Sequence, residues 1–202
     1  MTRAALLALL LTVAALLGGC PGGSESLGET PAETNPGSAG TTSPAGPTTT
    51  PGHTTTAGEF VDCRVPTDED AWATEVLQYV NDERVSRGLP ALKPDAGLAE
   101  QADVHACAMI DYNFFDHTNP VTGSTPVDRF AASGFKGCTS GENIAAGQLT
   151  PAHVVTEWMN SPGHRANILS ADFTHLGIGI RQGGRYGIYW VQLFGGLAKG
   201  GG

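Results

Sequence analysis

The sequence predicts an α+β domain, with helices first and strands concentrated at the end. Apolar residues recur at the helical period of about 3.6 residues in the first two thirds of the folded part, as at Trp72 and Val76. The period then changes to two, where Leu176, Ile178 and Ile180 alternate with other residues. Helices followed by strands favour α+β layering over a parallel sheet built from strand–helix–strand units.

Four helices and one further helical turn are expected. The first begins at Thr67, which opens a capping-box pattern with Asp70, and ends at Gly88. The second covers about residues 95–113. Proline suits the first turn of a helix, so the remaining helical segments open at three dipeptides: Thr125-Pro126, Thr150-Pro151 and Ser161-Pro162.

A β-hairpin is expected at the end of the folded part. Gly183-Gly184 supplies a tight turn, because glycine adopts the backbone angles that hairpin turns need. The chain then runs back from Tyr186 to Phe194 as the second strand of the pair.

Residues 1–19 resemble a secretory signal. An apolar run of 14 residues from Ala4 to Leu17 is too short to span a bilayer. The sequence Leu17-Gly18-Gly19-Cys20 resembles the bacterial lipobox, where the signal is cut before a cysteine whose thiol is then acylated. The alternative is an ordinary signal with an incidental cysteine. We expect export and anchoring of acylated Cys20 to the membrane, on the extracytoplasmic side of the envelope.

Residues 20–59 read as a disordered tether. Between positions 21 and 59, 28 of 39 residues are Pro, Gly, Thr or Ser, and Leu27 is the only bulky apolar side chain. Such a segment cannot bury enough surface to offset the entropy of ordering it. O-linked sugars on its Thr-Pro runs are an alternative to a plain spacer. One domain remains, at residues 60–202 with its core at 68–196.

The charge balance excludes several classes of partner. The chain carries a formal net charge of −9 with eleven basic side chains. Nucleic-acid binding requires a clustered positive face, so we expect no nucleic-acid partner. Docking on anionic lipid through charge is disfavoured for the same reason.

The cysteines after Cys20 predict one disulfide. Cys63, Cys107 and Cys138 would all lie in an oxidising compartment. Cys107 falls about 200° around the second helix from His105, which predicts an outward thiol in need of a partner. Either Cys63 or Cys138 could supply that partner.

Two histidines and one glutamate stand out as candidate site residues. His117 and His164 each occur in a loop-like segment crowded with turn residues, and loops carry function more often than strands do. Glu142 is a carboxylate among small and apolar neighbours. His105, on the apolar face of the second helix, is expected to be a hydrogen-bonded structural imidazole. A structural role for Glu142 and for the turn around His164 is the main rival interpretation.

Five segments occur in a characteristic order: Asn113-Phe114-Phe115-Asp116-His117, Thr125-Pro126-Val127-Asp128-Arg129, residues 141–147, residues 158–169 and residues 186–195. Together they resemble the bacterial branch of the CAP superfamily, the cysteine-rich secretory, antigen-five and pathogenesis-related proteins, also called SCP domains. The resemblance covers roughly residues 68–196. It implies an α-β-α sandwich, with a central antiparallel sheet between helical layers and a cleft over the sheet.

The resemblance also implies which residues line the cleft. Eukaryotic relatives hold two His and two Glu there, sometimes around a divalent metal. Carried over by position, the first His is His117 and the first Glu is Glu142. The other two positions are Ser161 and Ile188, so half of the set is missing. His164 could partly substitute, and with His117 it could hold a weakly bound zinc ion; no cofactor is otherwise expected to be required.

The expected function is ligand binding by a monomeric, lipid-anchored CAP-domain protein. The cleft, lined by His117, Glu142, Ser161, His164 and Ile188, would bind an apolar small molecule, an envelope glycan or peptide, or a protein. One alternative is a metal-assisted hydrolase, in which His117 and His164 hold the ion and Glu142 acts as general base. Another is an interaction module with a vestigial cleft. Whether the protein is an enzyme stays open, with binding favoured.

Overall fold

The computed structural model of the protein describes residues 61–197. The expected signal, Cys20 and the tether lie outside these residues. Five helices and four strands follow in the order α1 Glu69–Val85, β1 Lys93–Pro94, α2 Ala96–Asp111, α3 Pro126–Ala132, β2 Thr139–Ala146, α4 Pro151–Asn160, α5 Pro162–Ile168, β3 His175–Gly183 and β4 Gly187–Gly196.

The strands form one sheet in the order β1-β3-β4-β2. Strands β3 and β4 are the expected hairpin, and β2 pairs antiparallel with β4 along its whole length. The two-residue strand β1 adds to β3 in parallel. The sheet is therefore antiparallel apart from this short addition.

Helices cover both faces of the sheet. One face packs with α1 and α4 through residues such as Val76, Val80 and Trp158. The other packs with α2 through Leu98 and Met109. The predicted sandwich with its central sheet is confirmed.

Helix α2 lies very close to β3 because two strand residues have no side chain. A Cβ on Gly177 would lie 2.2 Å from the backbone of Leu98, and one on Gly179 would lie 2.5 Å from the backbone of Ala102. Both glycines therefore permit an approach that any larger residue would prevent.

The structure confirms the three helix starts predicted at Thr125-Pro126, Thr150-Pro151 and Ser161-Pro162. Thr125 forms a complete capping box with Asp128, and Thr150 accepts a hydrogen bond from the amide of His153. The predicted box at Thr67 is absent: α1 begins at Glu69, after an N-cap residue whose side chain makes no capping bond. A backbone turn from Pro66 to Glu69 leads into this helix instead.

The N-terminal segment is fixed to α2 by the disulfide between Cys63 and Cys107. The prediction that Cys107 takes a disulfide partner is confirmed, and that partner is Cys63. Cys107 is not exposed, at 9%, because the segment that carries Cys63 covers it. Neighbouring contacts hold the covering segment in place: the amide of Asp62 donates to Asp111, and Arg64 pairs with Gln182 at the end of β3.

An ion-pair group that we call the Arg181 cluster joins α1, α2 and β3. The Arg181 guanidinium contacts the carboxylates of Glu69 and Asp103, the latter at 2.8 Å. Asp103 also accepts a hydrogen bond from the Ile180 amide.

Within residues 61–197, no helix is long and apolar enough to cross a membrane.

Candidate functional site

Glu142 lies on strand β2, not in a loop, and its side chain faces α2. The neighbouring residue across the ladder is Leu193, which belongs to the core on the α2 side of the sheet. The Glu142 side chain is 1% exposed. A buried carboxylate needs a charged or hydrogen-bonding partner.

Arg129 on α3 is the main partner of this carboxylate. Its Nε donates to Oε2 of Glu142 and its Nη2 donates to Oε1, both at 2.8 Å. The same guanidinium donates to the carbonyl oxygens of His117 and Ser124. The capping box at Thr125 fixes the start of α3 and thereby places Arg129 one turn later. One buried arginine thus joins strand β2 to both ends of the segment 117–124.

His117 contacts the same carboxylate from the solvent side. Its Nδ1 lies 2.8 Å from Oε1 of Glu142, and its side chain is 35% exposed. An ionised carboxylate only accepts hydrogen bonds, so Nδ1 carries the proton. In the neutral imidazole, Nε2 is then unprotonated and can accept a hydrogen bond; the contact described for this ring is the one at Nδ1.

His105 completes what we call the Glu142 cluster: His105, His117, Arg129 and Glu142. Its Nε2 lies 3.0 Å from the carbonyl oxygen of Asp116 and 3.9 Å from Oε1 of Glu142. The imidazole is buried, and this burial lowers its pKa to about 4, although Glu142 acts in the opposite direction. His105 is therefore neutral at physiological pH and supports the loop through its hydrogen bond.

The pKa of Glu142 lies below its usual value. Burial alone would raise it, but the hydrogen bond from His117 and the charge of Arg129 outweigh burial. Glu142 is thus more readily ionised than a free glutamate, and both of its oxygens accept hydrogen bonds. A general base needs a lone pair that its substrate can reach, and this side chain is only 1% exposed.

The structure places Ile188 away from the cluster, which corrects its expected position in the cleft. Ile188 is 3% exposed and belongs to the core on the α1 and α4 side of the sheet. Successive residues of a strand point to opposite faces, and Ile188 is on the face opposite that of Tyr189, Val191 and Leu193. Ser161 is also buried, between α4 and α5.

Helix α5, which carries His164, runs beside β2. The carbonyl oxygen of His164 accepts a bond from the side chain of Asn143, and Asn167 donates to the carbonyl of Glu142 and to Asn143. These buried amides join α5 to β2. The contacts described for the Glu142 carboxylate are made by His117, Arg129 and His105, and His164 is not among them. The sharing of an ion by His117 and His164 stays a prediction.

A divalent metal of the kind implied by the resemblance does not fit the Glu142 cluster. The Arg129 guanidinium occupies both carboxylate oxygens, where a cation would have to bind. Two of the four implied ligand positions are Ser161 and Ile188. Among residues 61–197 there is no group of three or more His, Cys, Asp or Glu side chains placed to hold a metal ion.

A surface groove of about 410 Å³ follows the segment that carries His117. Five side chains line it, from Phe114, Phe115, Asp116, Thr118 and Pro120. Several contacts fix this segment: the amide of Asn119 donates to Ser124, and its side chain accepts from the amides of Val121 and Thr122.

The family profile of the cysteine-rich secretory proteins, abbreviated CAP, matches residues 77–194. This match covers more than half of the chain, including α2, α3, β2 and the hairpin. The chain belongs to the CAP family. Its sandwich fold agrees with that assignment.

Two bacterial proteins are similar in sequence to this CAP protein. It is 43% identical over 129 residues to "Uncharacterized protein YkwD" of Bacillus subtilis, covering 64% of this chain and 49% of that protein. It is 35% identical over 120 residues to "Uncharacterized membrane protein YlbC" of the same organism, covering 59% and 33%. The chain thus spans half or less of the length of these two relatives.

Solved structures share the fold. An extracellular SCP-domain protein of Bacillus anthracis has 31% identity and a TM-score of 0.57, over 65% of this chain and 44% of the other. An outer surface protein of Borrelia burgdorferi has 24% identity and a TM-score of 0.58, over 67% and 97%. The second similarity shows the fold alone.

Sequence reasoning found His117 and Glu142, which are in direct contact, and missed Arg129. Arg129 occurs in one of the five segments that carry the resemblance, but no charge pattern marked it as a partner of Glu142. The available signal was the capping box, which fixes the direction of α3. His105 was expected to be structural, and its position beside Glu142 was not expected.

Proposed function

We propose that this CAP protein is held on the extracytoplasmic side of the cell envelope by acylated Cys20, and that it binds an envelope ligand in the groove along residues 114–120. One observation carries the binding proposal: the segment is fixed from below by a buried ion pair, yet it presents exposed recognition groups. Phe115 is 43% exposed and His117 is half-buried.

Rigidity of this kind favours binding. Arg129 and His105 hold the backbone of the segment at His117, Ser124 and Asp116. A surface fixed before the ligand arrives loses little conformational entropy on binding. A contiguous exposed apolar patch commonly marks an interaction site, and the Phe115 ring lies against a second exposed ring, that of Tyr186.

A screen for thermal stabilisation tests binding. The full chain is heated with a panel of envelope lipids and glycans, together with two variants that add the same ring. Thr118→Trp fills the groove, whereas Val121→Trp adds the ring three residues away, outside the groove lining. We expect a panel member to raise the melting temperature of the wild type and of Val121→Trp but not of Thr118→Trp. A panel without any stabilising member would count against the proposal.

The anchor has a separate test. Acyl chains on one cysteine hold a protein stably on a membrane when more than one is attached. We expect the wild type in the membrane fraction with an added acyl mass on Cys20, and Cys20→Ala in the soluble fraction or uncleaved. An unmodified Cys20 in a cleaved, soluble chain would contradict anchoring without affecting the binding proposal.

A further inference from the structure

We propose that the ligand is an uncharged saccharide chain, and that it stacks on a platform formed by Phe115 and Tyr186. This inference rests on the proposed function and names the chemical class of its ligand. It depends on the geometry of the two exposed rings, the charges beside them, the openness of the groove and the protection of the sheet edges.

Phe115 and Tyr186 form a rigid exposed pair. Their ring centroids are 5.8 Å apart at an interplanar angle of 66°, and their residues are 43% and 37% exposed. Tyr189 supports Tyr186 from below at 5.7 Å and is fully buried. The pair joins the 114–120 segment to the turn between β3 and β4. The face of an aromatic ring attracts the polarised C–H groups that cover one side of a sugar ring. Because the pair is edge-to-face and Arg185 lies over the Tyr186 ring, Phe115 supplies the stacking face of the platform and Tyr186 flanks it.

The charges beside the platform have opposite signs. Asp116 is an exposed carboxylate next to Phe115, and its Oδ1 accepts the amide of Thr118 at 2.8 Å. The guanidinium of Arg185 lies 4.6 Å from the centroid of the Tyr186 ring. A charged ligand would be attracted by one of these two groups and repelled by the other, so a net charge gives it no clear advantage. An uncharged molecule rich in hydroxyl groups can donate to the carboxylate and accept from the guanidinium.

The groove suits a chain that lies across the surface. Small apolar ligands are normally enclosed, with about 70–90% of their surface buried. This groove is formed by one surface segment, and two of its lining residues, Asp116 and Thr118, are polar. It therefore lacks the apolar enclosure that a lipid or sterol needs.

A peptide bound as an added strand is disfavoured because side chains already cover the outer edge of β2. The carbonyl of Glu142 accepts from Asn167, and the carbonyl of Ile144 accepts from Trp158. At the other edge of the sheet, Asp103 accepts the amide of Ile180. Strand addition requires free backbone groups of this kind.

The test uses nuclear magnetic resonance of the full chain with three probes: tri-N-acetylchitotriose, 1-octanol and an uncharged Ser-Ala decapeptide. We expect saturable shifts of the Phe115 and Tyr186 ring resonances with the trisaccharide alone. Phe115→Leu keeps an apolar side chain but removes the aromatic face, and it should weaken binding by about tenfold, whereas Phe115→Trp should retain it. Val121→Ala, an exposed apolar change outside the groove, should leave the affinity unchanged.

Each other outcome is decisive. Equal affinity of wild type and Phe115→Leu, or shifts confined to other residues, would overturn the saccharide platform. Saturable binding of octanol or of the decapeptide at the groove, without the trisaccharide, would overturn it and leave the proposed function standing. If none of the probes binds and only lipid members of the panel above stabilise the wild type, the saccharide inference alone fails. If that panel also fails, both fail.

Discussion

Two clusters in this protein pair guanidinium groups with carboxylates, and they differ in the ratio of the charges. In the Glu142 cluster one arginine serves one carboxylate, and the pKa of Glu142 is lowered despite complete burial. In the Arg181 cluster one arginine serves both Glu69 and Asp103. There burial, the largest influence, and the charge of Glu69 raise the pKa of Asp103 to about 7, although Arg181 opposes them.

Burial opposes ionisation in both clusters: hydrogen bonds and positive charge outweigh it at Glu142, whereas one guanidinium shared by two carboxylates does not outweigh it at Asp103. Glu142 is the more buried of the two acids, with 1% of its side chain exposed against 20% for Asp103. It nevertheless keeps its charge, because Arg129 and His117 both donate to it. The Glu142 cluster is therefore expected to be rigid at neutral pH, and the Arg181 cluster to titrate.

The largest expected effect comes from removing the buried arginine. Arg129→Met leaves Glu142 buried without its main partner, so we expect the free energy of unfolding to fall by about 3–5 kcal/mol. Urea denaturation at pH 7 measures this. Adding Glu142→Gln should recover part of the loss, because no uncompensated anion remains.

Arg181→Met is the matched control for this change. Its two carboxylates stay partly exposed, at 20% and 23%, so water can solvate them and the loss should be smaller. An equal loss in Arg181→Met and Arg129→Met would show that the two clusters do not differ as described.

A smaller effect is expected in the pH dependence of stability, with opposite signs for the two clusters. The pKa of Asp103 rises from 3.8 to about 7 in the folded protein. The folded state therefore binds this proton more tightly, and the resulting stability is present below pH 3.8 and lost as the pH rises to about 7. Asp103→Asn should remove this loss, which urea midpoints across that range can measure.

The Glu142 cluster should lose stability as the pH falls, not as it rises. The pKa of His105 falls from 6.5 to about 4, so its contribution is present above pH 6.5 and lost on acidification towards pH 4. His105→Gln should reduce this acid sensitivity. His153→Gln is the control, because that side chain is 55% exposed. The opposite signs would be contradicted if Asp103→Asn and His105→Gln changed the pH dependence of the free energy of unfolding in the same direction.

The smallest effect concerns the helix that carries Arg129. Thr125→Ala and Thr150→Ala each remove a helix cap, and each should cost about 1 kcal/mol. Only Thr125 begins the helix that positions Arg129, so only Thr125→Ala should shift the proton resonance of the His117–Glu142 hydrogen bond. An equal shift in Thr150→Ala would show that the His117–Glu142 hydrogen bond does not depend on the position of α3.

Local signals in the sequence predicted the elements with distinct ends. Thr-Pro pairs marked the starts of α3 and α4, and the period-two pattern marked the hairpin. Strand β2 was not predicted, because Glu142 and Asn143 are polar and both are buried. Each is satisfied by partners distant in the sequence, Arg129 for one and Gln192 for the other. No local pattern shows that a polar residue will find such a partner.

The errors at single residues have the same origin. Cys107 was placed outside by its angle around α2, but the segment at residues 61–64 folds over it. Ile188 was assigned to the cleft by position within a motif, whereas the alternation of β4 places it in the opposite core. Helix angle and motif position describe one element at a time, and burial depends on what packs against it.

The bond between Cys63 and Cys107 has a mechanical consequence for any protein held by its N-terminal end. Tension applied along the chain before residue 63 passes through the covalent bridge directly into helix α2. Helix α1 and strand β1 lie within the bypassed stretch of chain, so they carry no load. A pulling force applied before residue 63 would thus reach the helix that packs across the central sheet, and the first helix would not be peeled away first.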